Sequence, residues 1–135
     1  MKYMVLIYAN PRNWAHPMHL EAPEALAMSE RERDELTAQS DELMGELFEV
    51  GELIGGEALT APANTRTVRV RDGVPATTDG PFIEAKEHLA GYFLLDCVSM
   101  ERATEIAALL PDARFGTVEV RPLLGSSDSD EEQGR

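Results

Sequence analysis

Leu89-Ala90-Gly91-Tyr92-Phe93-Leu94-Leu95-Asp96-Cys97 carries apolar side chains at odd and even positions alike. Successive side chains of an extended strand point to opposite faces, which sets Tyr92 and Leu94 against Phe93, Leu95 and Cys97. A strand that is apolar front and back belongs in the middle of a sheet. Residues 2–9 read the same way, with Tyr3, Val5 and Ile7 behind Met4, Leu6 and Tyr8. Two other runs have edge character. Residues 116–123 alternate, Val118 and Val120 against Thr117, Glu119 and Arg121, and Pro122 at the end suits an edge. Residues 52–59 contain Gly55-Gly56, the mark of a bulge or of a close backbone approach.

Two helices join these strands. Ser29-Glu30-Arg31-Glu32 is a capping box, with Ser29 at the N-cap and Glu32 reaching back. Leu36, Leu43, Leu47 and Val50, with Met44 and Phe48 alongside, form the expected inward stripe, and Gly51 ends the helix in a left-handed conformation. Ser99 caps the second helix, with Ala103, Ile106, Ala107 and Leu110 inward, and Pro111-Asp112 is expected to stop it. Before the third of the four sheet strands, residues 66–71 alternate with Val68 and Val70 inward and Thr67, Arg69 and Arg71 outward. Asp72-Gly73 is a two-residue hairpin signal, and residues 74–78 return.

Without that hairpin the order is strand, helix, strand, strand, helix, strand. The expected class is therefore α+β, a ferredoxin-like βαββαβ arrangement with an added β-hairpin. Its first and third strands are central, in agreement with the two doubly apolar runs. One domain is expected over residues 1–124. Residues 125–135, with four acids, one arginine and almost nothing apolar, are expected to be a disordered acidic tail. Two helices cover only one face of such a sheet, and the other would leave Tyr, Phe, Leu and Val in water. A second copy packed sheet on sheet is the simplest cover, so a homodimer is expected.

Composition narrows the function classes. The chain of 135 residues carries a formal charge of −13, which opposes binding to a phosphate backbone and favours electropositive partners. No apolar run approaches the roughly 20 residues of a membrane span. The opening Met1–Tyr8 lacks the charge and cleavage pattern of a signal peptide, so a cytoplasmic protein is expected. Cys97 is the single cysteine, which removes an intrachain disulfide and cysteine-rich metal sites. His16 and His19 stand three apart without a third ligand nearby, so no metal is assigned. No phosphate loop or dinucleotide fingerprint is present, and no cofactor is expected.

The candidate site is the run Thr78-Asp79-Gly80-Pro81-Phe82-Ile83-Glu84-Ala85-Lys86-Glu87-His88, which leads from a tight turn into the third sheet strand. In an extended chain Phe82, Glu84, Lys86 and His88 share a face; in a helical turn Glu84 sits over His88. As an enzyme site, Asp79 or Glu84 would be the general base, assisted by His88, and Lys86 would steady an oxyanion or enolate. Tyr8, Trp14 and Phe82 would pack on a planar or aromatic ligand, and Glu57 would line the cleft. Each has a plain structural alternative. Asp79 closes the turn, Glu84 and Lys86 pair at the surface, Phe82 is core and Glu57 is a solvated strand residue. As a binding module, the cleft would sense a metabolite, or the acidic surface would dock on a basic regulator.

The run from Thr78 to Tyr92 resembles the signature of the DGPF branch of YCII-related proteins. So do Gly55-Gly56-Glu57-Ala58-Leu59, Arg69-Val70-Arg71-Asp72-Gly73 and Gly116-Thr117-Val118-Glu119-Val120-Arg121-Pro122. The resemblance spans Met1 to about Leu123 and implies a dimeric α/β barrel similar to muconolactone isomerase and its relatives. Some YCII-related proteins process small aromatic compounds with a histidine and an aspartate, one of them eliminating chloride. The resemblance also implies a regulatory partner, because DGPF proteins are often encoded beside extracytoplasmic-function sigma factors. The sequence departs from the pattern in three places. The first helix carries no histidine, the connection over residues 11–27 is longer, and His88 stands where a glutamine is common.

Overall fold

The computed structural model describes residues 1–14 and 22–125. His16, His19 and the acidic tail from Ser126 onward lie outside the described residues. Four strands form one antiparallel sheet: β1 (Lys2–Ala9), β2 (Leu53–Ala58), β5 (His88–Asp96) and β6 (Thr117–Pro122) in the order β2-β5-β1-β6. The doubly apolar strands β1 and β5 are central, as their patterns predict. The helices α1 (Pro23–Leu26), α2 (Glu30–Glu49), α3 (Met100–Ala108) and α4 (Pro111–Phe115) complete the α+β fold.

Register explains where the core sits. Tyr3 pairs with Leu95 and Val5 with Phe93 on one side, and Val5 pairs with Val120 and Ile7 with Val118 on the other. With a period of two, these side chains share a face, and Tyr3, Val5 and Leu95 are sealed there under Ala103, Ile106 and Ala107 of α3. Each such aliphatic side chain contributes about 1.5–3 kcal/mol on burial. Cys97 lies in the same cluster, where burial pushes its thiol pKa up. The opposite face carries Met4, Leu6 and Tyr8 of β1 beside Tyr92 and Leu94 of β5, only half-buried.

Local chemistry fixes the helix ends. The Ser29 hydroxyl accepts the Glu32 N–H at 3.1 Å while the Glu32 carboxylate accepts the Ser29 N–H at 3.1 Å, the expected capping box. At the other end Gly51, at φ 81°, lets the Glu52 N–H reach the Leu47 carbonyl and the Gly51 N–H reach that of Phe48. The inward stripe is narrower than expected. Leu47 is buried and Leu43 and Met44 are partly so, but Phe48 and Val50 are exposed. At 100° per residue Phe48 turns away from the face that Leu47 occupies, and Val50 belongs to the cap. Pro111 also corrects the sequence reading: it opens α4 rather than merely stopping α3, since a helix's first position needs no N–H donor. The start of α3 is clamped to the sheet by Arg102, whose Nε and Nη2 donate to the two Glu52 carboxylate oxygens at 2.9 and 2.8 Å.

The hairpin, β3 (Arg66–Arg71) and β4 (Val74–Asp79), forms a separate two-stranded sheet. Asp72 at φ 52° and Gly73 at φ 77° make the left-handed turn that a two-residue loop requires. Its faces are reversed from expectation. Thr67 is the shielded residue, its hydroxyl donating to the Gly80 carbonyl at 2.8 Å, whereas Val68 and Val70 are 59% and 54% exposed. Alternation reports which side chains share a face, not which face meets the body.

Candidate functional site

The α2 face that looks toward the sheet is not uniformly apolar. Thr37, Ser40, Asp41 and Met44, spaced i, i+3, i+4 and i+7, lie on one side of the helix and line a cleft against the sheet. Leucines at these positions would close the gap; Thr, Ser and Asp leave it open. Leu36 and Leu43 instead lean toward Leu109 and Pro111 on the neighbouring flank. The cleft is thus built into the fold by a polar seam beside the leucine stripe.

The sheet supplies a floor that two glycines keep low between larger apolar side chains. Gly56, Ala58, Gly91, Ile7 and Phe93 line it. Gly56 pairs with Phe93, and Gly91 pairs with both Ala58 and Ile7. Both glycines are demanded by the close approach of β2 and β5. A Cβ on Gly56 would stand 2.5 Å from the Tyr92 carbonyl oxygen, and one on Gly91 would stand 2.7 Å from that of Glu57. The register shift between Leu53 and Gly55 sits beside this approach. Leu110 and Asp112, at the junction of α3 and α4, form the far wall, and Asp112 is only 4% exposed. The half-open cleft has a volume of about 270 Å³, room for about nine non-hydrogen atoms at the roughly 30 Å³ of one water.

The residues expected from sequence are distributed differently. Glu57 borders the α2 cleft, but it pairs with Tyr92, so its side chain shares the sheet face opposite the helices. Asp79 ends β4 with its side chain 92% exposed, 3.7 Å from the Arg66 Nε. Glu84 and Lys86 line an open hollow with Asn10, Pro11 and Arg12. Phe82 and His88 share a second, open pocket with Leu59, Thr67, Pro81 and Leu89. Phe82 is 64% exposed there, with the Arg69 guanidinium 5.3 Å from its ring centroid. Trp14 donates from its indole nitrogen to the Leu59 carbonyl at 3.1 Å and packs beside Ile7, Ala9 and Ala90. Tyr8 belongs to the opposite sheet face, where its hydrogen bond to the Glu119 carboxylate and its burial raise the phenol pKa.

Within one chain, then, Asp79, Glu84 with Lys86, and His88 with Phe82 occupy three separate places. The sequence reading passed over Thr37, Ser40, Asp41 and Asp112. A signal for the first three was available: polar residues at helical spacing beside a leucine stripe, in a helix that must cover a sheet. Asp112 was hidden by treating Pro111 as an end rather than a beginning.

The chain is similar to known proteins in sequence, and one solved structure aligns with it. An uncharacterized protein of Rhizobium meliloti (strain 1021) is 33% identical over 99 residues, covering 72% of this chain and 80% of the relative. Among solved structures, a 5-chloro-2-hydroxyhydroquinone dehydrochlorinase of Burkholderia phenoliruptrix AC1100, in complex with 2,5-dihydroxybenzoquinone, aligns over 95% of this chain and 98% of its own. That alignment has a TM-score of 0.45 and 11% identity. Residues 1–126 match the YCII-related domain, and the chain belongs to the YCII-related family.

Proposed function

We propose that this protein binds a small, planar, largely apolar molecule in the cleft beneath α2 and moves a proton on it, in chemistry of the lyase or isomerase type. The observation that carries this reading is the polar seam Thr37-Ser40-Asp41 set over a glycine floor, an arrangement that sacrifices helix-to-sheet packing. Asp41 is the proton acceptor in this reading. Ser40 offers a hydroxyl to a substrate oxygen, and Ile7, Phe93 and Leu110 pack on the ring. The Thr37 hydroxyl already donates to the Arg33 carbonyl at 3.0 Å, so it presents a lone pair to the cleft. The test is turnover and binding by a panel of small planar compounds in the wild type and in Asp41→Asn. Loss of turnover with binding retained supports the assignment; turnover unchanged in Asp41→Asn overturns it.

A second site reading keeps the sequence-derived residues. Phe82 and His88 line a common pocket, and a second copy would be the source of the acid, Asp79 or Glu84, that one chain does not bring there. His88→Gln abolishing turnover while Asp41→Asn leaves it intact would favour this alternative. The homodimer belongs to the same proposal: the half-buried Met4, Leu6, Tyr8, Tyr92 and Leu94 would pack on their counterparts. Light scattering on the eluting protein tests it, and a monomer across the concentration range would remove it. If no compound turns over, an interaction role gains ground. α2 carries eight acids against two arginines, a surface for an electropositive regulator such as an extracytoplasmic-function sigma factor.

A further inference from the structure

Among the described residues, the α2 cleft is lined by two acids on its own side, Asp41 and Asp112, and by no lysine, arginine or histidine, while Glu57 borders it with its side chain on the Tyr92 face. The rest of the lining is mostly apolar, so the cavity itself selects for a hydrophobic body and the acids decide the head group. A carboxylate or phosphate meets no positive side chain among these described lining residues, in a chain that already carries −13. Low-dielectric walls focus that field into the cleft and raise the local concentration of cations. These two acids differ in setting: Asp41 is exposed on α2, and Asp112 is buried at the α3–α4 junction. Met44, Phe93 and Leu110 line the same cleft, and an aromatic ring attracts an ammonium group over its face.

We infer that the α2 cleft takes a compact amphiphilic amine of about nine non-hydrogen atoms, its apolar body on Phe93 and Leu110 and its protonated nitrogen toward Asp41. This rests on the reading of the cleft as a ligand site and adds the charge of the ligand to it. Anionic aromatic acids are excluded by the same groups that attract the amine, so discrimination comes from repulsion as well as attraction.

Three probes of nearly equal size separate the possibilities: phenethylamine, 2-phenylethanol and phenylacetate, titrated into the isotope-labelled full-length chain and followed by NMR. The amine is expected to shift the resonances of Gly56, Gly91 and Met44 and to bind roughly ten-fold more tightly than the alcohol, as one charge-assisted hydrogen bond implies. Phenylacetate is expected to leave those resonances unmoved. Asp41→Asn should bring the amine down to the affinity of the alcohol without changing the alcohol, whereas Glu42→Gln, on the outer face of α2, should leave the preference in place. Raising the ionic strength should shrink the preference. Equal binding of amine and alcohol at these resonances, or binding of phenylacetate, overturns the charge inference while leaving the cleft a ligand site. Shifts by none of the three at these resonances overturn both.

Discussion

The α2 cleft and the Phe82–His88 pocket, the two proposed ligand sites, are built in opposite ways. The first is made of residues without obvious chemistry: two strand glycines, a threonine, a serine and two aspartates, arranged by a helix that stands off the sheet at a polar seam. The second draws on the most chemically loaded stretch of the sequence, yet its aromatic ring is 64% exposed, and the acids expected to work with it lie elsewhere. A pocket comes from what the backbone and packing leave empty. A concentration of titratable side chains along the chain does not by itself create one.

The sharpest way to break this contrast is to fill the floor of the first cleft. Gly56→Val or Gly91→Val places carbon within 2.5–2.7 Å of a neighbouring carbonyl oxygen, and forcing β2 and β5 apart should cost about 3 kcal/mol in urea unfolding. Gly55→Ala, whose added carbon meets nothing within 4 Å, should stay within about 0.5 kcal/mol of wild type. Equal effects at Gly55 and Gly56 would show that the close approach does not hold the floor.

The Glu52–Arg102 clamp gives a smaller effect with a pH signature. Its hydrogen bonds to Arg102 hold the Glu52 carboxyl below the usual glutamate range. A carboxyl whose folded value is depressed stabilises the fold above its unfolded value of about 4.5, and that contribution disappears as pH falls through the folded value. Glu52→Gln should therefore lower Tm at neutral pH and flatten the melting profile below about pH 4.5. Wild type and variant should converge at the acid end. A constant gap at every pH would mean that the clamp acts by packing alone.

Much of this architecture was legible from residue order, because strands obey a period that burial enforces. Apolar residues on both faces of residues 2–9 and 89–97 placed β1 and β5 at the centre, and Val118 and Val120 placed β6 at an edge. Ser29 with Glu32, and Asp72 with Gly73, announced a cap and a turn whose geometry is local. What alternation left open was the orientation of the hairpin, since Val68 and Val70 share a face whichever way β3 turns. The cleft was harder to see for a related reason. Thr37, Ser40 and Asp41 read as a solvated helix face until the direction of α2 over the sheet is known, and Asp112 reads as a helix stop until Pro111 is seen to begin a new helix.

Phe82 tests the exposed side of the comparison. Its ring gains little by burial in one chain and rests under Arg69, so Phe82→Ala should cost less than about 1 kcal/mol in a dilute monomeric sample. The proposed homodimer would change that number. If a second copy covers the pocket, the loss should grow with protein concentration and appear as weakened association in sedimentation or light scattering.

The smallest expected signal comes from Tyr8, on the sheet face opposite the cleft. Its hydroxyl donates to the Glu119 carboxylate, which favours the neutral phenol and raises its pKa above the ordinary value of 10.0. A group with a raised folded value stabilises the fold below its unfolded value and stops doing so as pH rises through the folded one. An ultraviolet difference titration should thus show Tyr8 ionising late. Glu119→Gln should bring that step down, because it removes the negative charge as well as the strongest acceptor. Arg121 pulls in the other direction, so Arg121→Gln should push the step further up. The same titration reports on the face itself. In a single chain the two variants should move the step in opposite directions, with Glu119→Gln giving the larger change. A second copy packed over Tyr8, Leu6 and Tyr92 would withdraw solvent from the phenol, so desolvation would dominate and the wild-type step would rise with protein concentration. A step independent of concentration, still sensitive to Glu119, would leave this face in water and confine ligand chemistry to what one chain can build.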